Sequence, residues 1–153
     1  MQEIERKFLV LNQDFMKEAY SYFTVKQGYI NSDPTKTVRV RTVDDEYGYL
    51  TIKGESNESG TSRMEMEYKI PISDARELMK LCGDDVLNKT RHNVRVGNHV
   101  YEVDVFHDGL SWLIMAEIEL DDENEEFEKP SWLGEEVTGN KDYYNMNLLT
   151  QKR

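Results

Sequence analysis

The sequence predicts one α+β domain, mainly β, built on an eight-stranded antiparallel β-barrel with helices packed outside. Three observations predict it. Segments alternating between apolar and polar residues recur along most of the chain. Turn-forming residues separate them at short intervals. Charged residues within them fall two apart, so they share a face. At 153 residues the chain is the size of one domain, and no composition shift marks a second, so 1–153 reads as a single unit. Eight strands in so small a domain favour closure, because a closed sheet has no open edges.

Taken in order, the predicted strands are 3–11, 24–30, 37–43, 47–54, 62–72, 87–96, 100–106 and 113–120. Gly97-Asn98 and Asp44-Asp45-Glu46 supply hairpin turns, and the Gly- and Ser-containing stretch 54–60 reads as a mobile loop. A helix is predicted over 14–23, with Asp14 as its N-cap and Phe15, Ala19, Tyr22 and Phe23 on one side. A second is predicted over 73–82, capped by Ser73, with Leu78, Leu81 and Cys82 together. Residues 141–153 are weakly helical, 131–133 form a turn, and the acidic run 121–128 reads as a solvated loop.

Charge narrows the partners. The net charge of -11 argues against nucleic acid, whose binding relies on a basic surface, but leaves room for a local cluster of the Lys and Arg residues around a small anion. The single cysteine, Cys82, forms no disulfide framework and reads as a buried thiol. The charged N-terminal residues lack a signal-peptide core, and no stretch is apolar enough to span a bilayer, so a cytoplasmic location without membrane contact is the expectation.

The informative charges are those that alternation places on common strand faces. Glu3, Glu5 and Lys7 share one face, as do Arg39 with Arg41, Lys89 with Arg91, Glu102 with Asp104, and Glu117 with Glu119. Lys53 follows Thr51, and Arg63, Glu65, Glu67 and Lys69 form a longer row opposite Met64, Met66 and Tyr68. For any one strand a solvated sheet face is the simplest account. Across the set it fails, because charged pairs recur on most strands and many are of one sign. Like charges on one face repel, whereas complementary rows facing across a barrel lumen explain the pattern. Carboxylates converging from several strands offer hard oxygen ligands suited to Mg²⁺ or Mn²⁺. Arg and Lys offer contacts to phosphate oxygens, and a polyphosphate chain is a ligand that satisfies both.

Other chemistries fit less well. There is no P-loop and no nucleophile elbow, and Gly109-Leu110-Ser111-Trp112 reads as a turn. His92, His99 and His107 stand singly, and with one cysteine they give no zinc spacing. A glycosidase would use paired carboxylates but leave the basic set without a purpose.

These residues carry a family resemblance. Glu3-Ile4-Glu5-Arg6-Lys7 fits an E-x-E-x-K signature. It is followed in order by Gln27-Gly28-Tyr29-Ile30, Val38-Arg39-Val40-Arg41, Thr51-Ile52-Lys53-Gly54 and Arg63-Met64-Glu65-Met66-Glu67. Then come Lys89-Thr90-Arg91, Glu102-Val103-Asp104 and Glu117-Ile118-Glu119, with Glu135-Glu136-Val137-Thr138 beyond. The chain resembles the CYTH superfamily, the triphosphate tunnel metalloenzymes. The resemblance implies an eight-stranded tunnel holding a divalent metal and a triphosphate. By it, Glu3, Glu5 and Glu119 are the principal metal ligands, with Glu117 and Asp104 nearby. Lys7, Arg39, Arg41, Lys53, Lys89 and Arg91 are phosphate contacts. Glu65, Glu67 and Glu102 either bind a second metal or a water, or only hold the basic residues in place; Lys69 and Arg95 receive no role.

Hydrolysis of inorganic triphosphate to pyrophosphate and phosphate is the leading expectation, because the chain is short like the compact bacterial tripolyphosphatase-like members and has no evident nucleoside-recognition insertion. Lys7, Tyr29 and Lys89 are the candidate catalytic residues, with Tyr29 and Lys89 placed to meet in the tunnel and transfer a proton. The alternatives are a class IV-type adenylyl cyclase, a thiamine triphosphatase using Trp112 or Trp132 as a platform, and a binding module that senses polyphosphate without turning it over. A homodimer is the default oligomer for a small enzyme.

Overall fold

The computed structural model describes residues 2–31, 33 and 35–152, and the side chains of these apart from Gln2, Glu3 and Met146. Its strands are β1 (Gln2–Val10), β2 (Ser21–Tyr29), β3 (Lys36–Val43), β4 (Tyr47–Gly54), β5 (Ser62–Ile70), β6 (Val86–Val96), β7 (His99–Phe106), β8 (Ile114–Glu119) and β9 (Leu133–Glu136). The helices are α1 (Ile72–Leu81) and the short α2 (Asn145–Leu148). The sheet runs β5-β4-β3-β2-β6-β7-β8-β1, and a further β5–β1 pairing closes it into an eight-stranded antiparallel barrel. Closure is made by β1, which pairs through Gln2, Glu3 and Ile4 with Met64, Arg63 and Ser62, and through Glu5–Leu9 with β8. Strand β9 continues along the edge of β1 that β5 leaves, opposite Phe8 and Val10.

The hairpin turns have the backbone their sequences suggest. Asp44 and Asp45 both take positive φ between β3 and β4, and Glu46 N–H returns to the Val43 carbonyl, as a type I′ turn requires. Gly97 takes φ +60 between β6 and β7. The 54–60 stretch is tied at its middle by Asn57, which donates to Glu123 in the acidic 121–128 loop at 2.8 Å.

The helical expectations need correction. The 14–23 segment is a short 3₁₀ turn, Asp14–Glu18, after which β2 begins. Phe15 is fully buried while Tyr22 is 72% exposed, so the proposed helical face does not exist. Tyr22 and Phe23 instead pair with His92 and Arg91, in keeping with the strand preference of aromatic and β-branched residues. Asp14 is not the cap; its N–H is itself received by the Asn12 side chain. Pro71, not Ser73, holds the N-cap position of α1. The buried face of α1 is Ala75, Met79 and Cys82, whereas Leu81 is exposed. Two glycines let α1 lie close against the barrel wall. A Cβ on Gly28 would stand 2.6 Å from Cys82 Sγ, and one on Gly48 2.7 Å from Ala75 Cβ.

Apolar clusters lie on both sides of the barrel wall. Outside, Phe15 and Trp132 cover Phe8, Val94, Tyr101 and Ile118, and α1 covers Val40. Inside, the residues that continue the charged faces by alternation are apolar towards one end: Leu87 beyond Lys89, Phe106 beyond Asp104, and Met115 beyond Glu117. They cluster with Tyr29, Leu110, Leu113 and the fully buried Leu148 of α2. The C-terminal segment therefore plugs one end of the lumen with hydrocarbon and leaves the remainder charged.

Candidate functional site

The lumen is a cavity of about 470 Å³ whose walls carry most of the singled-out charges. Its lining includes Lys7, Arg39, Arg41, Lys53, Arg63, Lys89 and Arg91 on the basic side, and Glu5, Glu65, Glu67, Glu102, Glu117 and Glu119 on the acidic side. Strand register sets the neighbours. Glu5 is opposite Glu119 and Lys7 opposite Glu117 across β1 and β8, Glu102 is opposite Glu117 across β7 and β8, and Lys53 is opposite Glu65 across β4 and β5. The side chain of Glu3 lies outside the described residues.

The opposed charges pair in part. Arg41 donates to Glu67 at 2.8 Å, and Lys7 lies 3.8 Å from Glu5. Asp104 does not line the cavity. It is buried behind it, with Lys89 at 2.7 Å and the Arg91 guanidinium on both of its oxygens at 2.8 and 2.9 Å. Arg91 also reaches Glu102 at 3.2 Å. Burial pushes the Asp104 carboxyl up, but Arg91 and Lys89 outweigh it and hold the pKa below the ordinary value. Burial dominates at Lys89, whose pKa falls from 10.5 to about 8 despite Asp104. At Glu102 burial, together with Glu117 and Asp104, raises the pKa against the pull of Arg91. Lys7 goes the other way: burial disfavours its charge, yet Glu117 and Glu5 raise its pKa overall.

Several guanidinium donors are left unsatisfied. Nε of Arg39, of Arg41 and of Arg63 is buried and makes no hydrogen bond among the described residues. A buried donor without an acceptor costs about 1–3 kcal/mol, so three of them around one cavity mark a place for an oxyanion. Burial together with Arg39 and Arg91 lowers the pKa of Arg41 against the pull of Glu67, and a bound anion would relieve that repulsion.

Tyr29 is buried at the inner end of the charged region. Its hydroxyl accepts from Gln27 Nε2 at 2.7 Å and favours the charged form of Arg39. Tyr29 is thus engaged with Gln27 and Arg39, while Lys89 is engaged with Asp104. Among the described residues no group of three or more His, Cys, Asp or Glu side chains is gathered closely enough to hold a metal unaided. The donor set still fits a small hard cation, because Mg²⁺ usually keeps waters and takes one or two carboxylates plus substrate phosphate oxygens, not an all-protein cage. Glu5 and Glu119, opposite each other with Glu117 two residues along the same face, supply such carboxylates.

Sequence reasoning missed several lining residues. Arg63 was legible, since it begins the row that contains Glu65 and Glu67. Gln27 and Thr37 fall on the faces of Tyr29 and Arg39, but neutral side chains gave no signal. Ser56, Tyr144, Asn145 and Asn147 also line the cavity, brought there by a loop and by α2, where alternation says nothing. Lys7 Nζ sits 5.4 Å from the centre of the Tyr144 ring. No helix among the described residues is long and apolar enough to cross a membrane.

The chain is similar over nearly its whole length to proteins whose names state an activity. A protein named inorganic triphosphatase from Acetivibrio thermocellus is 45% identical over 96% of this chain and 92% of its own length. Another of that name from Nitrosomonas europaea is 35% identical over 97% of each. The solved structure of the inorganic triphosphatase NE1496 superposes with a TM-score of 0.69 at 30% identity, over 96% of this chain and 93% of that one. The family model for the CYTH domain matches residues 1–146, and the chain belongs to that family.

Proposed function

We propose that this chain hydrolyses inorganic triphosphate to pyrophosphate and phosphate, with Mg²⁺ or Mn²⁺ as cofactor. The observation that carries the reading is the set of buried Nε donors of Arg39, Arg41 and Arg63, which make no hydrogen bond among the described residues, around one lumen. It is supported by relatives named inorganic triphosphatase that align over nearly the whole chain.

In this reading Lys7, Arg39, Arg41, Lys53, Lys89 and Arg91 grip the phosphate oxygens, and Arg63 joins them. Glu3, Glu5, Glu117 and Glu119 hold the cation. When bound, it neutralises phosphate charge and supplies a polarised water for attack at phosphorus. Glu67 and Glu102 hold Arg41 and Arg91 in place, consistent with their ion pairs, and Glu65 serves beside Lys53. Asp104 is better suited to anchoring than to metal ligation, because both its oxygens are taken by Lys89 and Arg91. Tyr29 Oη accepts from Gln27, which leaves its own hydrogen free to point at a ligand. Lys89 Nζ, with a pKa of about 8, can give up or take a proton near neutral pH. The basic wall stabilises the charge that develops on the leaving pyrophosphate.

Purified protein is given triphosphate, ATP or thiamine triphosphate with Mg²⁺ or Mn²⁺, and the products are separated. The expected result is phosphate and pyrophosphate from triphosphate, lost with excess chelator and restored by metal. Cyclic AMP from ATP, or undiminished activity in chelator, would refute the proposal.

A further inference from the structure

The two ends of the lumen differ in kind. At one end Leu87, Phe106, Leu110 and Met115 surround the fully buried Leu148 of α2. Tyr144, Asn145 and Asn147 line the cavity next to this hydrocarbon and give it an uncharged polar floor. The segment that carries them is fastened to the barrel. Thr138 Oγ1 accepts from Lys7 N–H at 2.9 Å, and Tyr144 Oη lies 3.3 Å from Ser56 Oγ. Gly139 packs so tightly on Gly60 that a Cβ there would stand 2.3 Å from its Cα. At the other end Glu102 and Glu119 belong both to the lumen and to a surface hollow, where they are joined by Asp121 and by Glu125 in contact with His99. Among the described residues no Lys or Arg lines that hollow.

We propose that Tyr144 and Asn145 set the length of phosphate chain this protein accepts, by stopping the leading phosphate of a chain inserted end first. The inference rests on the lumen being the triphosphate site. Charged phosphate oxygens cannot cross a hydrocarbon plug without losing their hydrogen-bond partners, so a chain does not thread past Leu148. It halts where the polar lining ends, at Tyr144 and Asn145. The basic side chains that grip phosphate lie between this floor and the acidic end, and a short chain can satisfy its charge entirely among them. A longer chain must leave its surplus phosphates in the hollow. There they find carboxylates and no Lys or Arg, and like charge repels them. The blind floor and the acidic end thus bound the chain from opposite sides, and the floor is the part that a single substitution can move.

The test compares linear triphosphate with linear tetraphosphate, each given to the full chain with Mg²⁺. Wild type is expected to favour triphosphate in kcat/KM by at least about tenfold, the scale on which a pocket rejects a ligand one unit too long. Tyr144→Ala and Asn145→Ala deepen the floor, and each should reduce that preference severalfold. Tyr144→Phe keeps the ring and should retain it. Each preference compares two substrates on one protein, so a loss of folded protein or of Lys7 placement cancels. Tetraphosphate cleaved by wild type as well as triphosphate overturns the proposal, and so does a preference that both alanine variants leave unchanged. Calorimetric titration of the same two chains in excess chelator gives the preference as a ratio of affinities, without hydrolysis. Triphosphate bound selectively but not cut refutes the catalytic reading alone; triphosphate neither bound nor cut refutes both.

Discussion

Alkaline pH should recover stability that the burial of Lys89 costs. The ammonium is packed against Asp104 and over the Phe106 ring, and its pKa drops from 10.5 to about 8, first through burial. Between those values the unfolded chain holds a proton that the folded chain has released, so the unfolded state binds more protons and stability rises with pH. The penalty is fully present below about pH 8 and gone above 10.5. At about 1.36 kcal/mol for each tenfold change in proton affinity, the recovery is on the order of 3 kcal/mol. Other groups titrate in the same window, so the measurement is the difference between wild type and Lys89→Met, in which Asp104 keeps Arg91. Urea unfolding at intervals from pH 7 to 10.5 should show the wild type gaining steadily on the variant. A difference that stays flat would mean that Asp104 fully offsets the burial, and would remove Lys89 as a group able to exchange protons near neutrality.

Three further outcomes are expected. Asp104→Asn removes the carboxylate that Lys89 and Arg91 share, leaving Arg91 with Glu102, and should cost about 3–5 kcal/mol in unfolding free energy; a melting curve matching wild type would contradict the anchoring role. Glu5→Gln should reduce turnover far more than stability, since it removes a carboxylate opposite Glu119. Thermal melts without metal should then show a variant at least as stable as wild type, and an unfolded one would make Glu5 a structural ion-pair partner. Arg39→Ala and Arg41→Ala should each weaken binding of a non-hydrolysable triphosphate by about ten- to a hundredfold, from about 1.5–3 kcal/mol per charge-assisted bond. Val40→Thr, on the opposite face against α1, should leave calorimetric affinity nearly unchanged while lowering stability.

Much of the fold was legible because a strand states its face in every second residue. Each predicted strand is present, with ends displaced by a few residues, since period two survives wherever one side is apolar. Phe15, Ala19, Tyr22 and Phe23 failed as a helix because the segment is divided: Phe15 lies in the 3₁₀ turn with Ala19 at its end, whereas Tyr22 and Phe23 already belong to β2. Strand β9 has four residues, Leu133-Gly134-Glu135-Glu136, too few for alternation to register; its place is set by the edge of β1 that β5 leaves open. Closure through β1 and β5 was inferred from strand number, whereas the register that makes it is a tertiary property.

The site was legible to a different depth. Alternation assigns Asp104 and Glu117 to the same wall, and nothing in the sequence separates them. The structure does, because partners are fixed by cross-strand reach and not by face alone. Lys89 stands opposite Phe106 in register, yet its long side chain extends diagonally to Asp104 and, with Arg91, takes both carboxylate oxygens. Glu117 lines the cavity and acts through its charge on Lys7, Lys89 and Arg91. Two carboxylates equivalent by residue type and spacing thus divide into one paired with buried cations behind the wall and one lining the cavity. The division follows from side-chain length acting across a twisted sheet, and a one-dimensional pattern cannot express it.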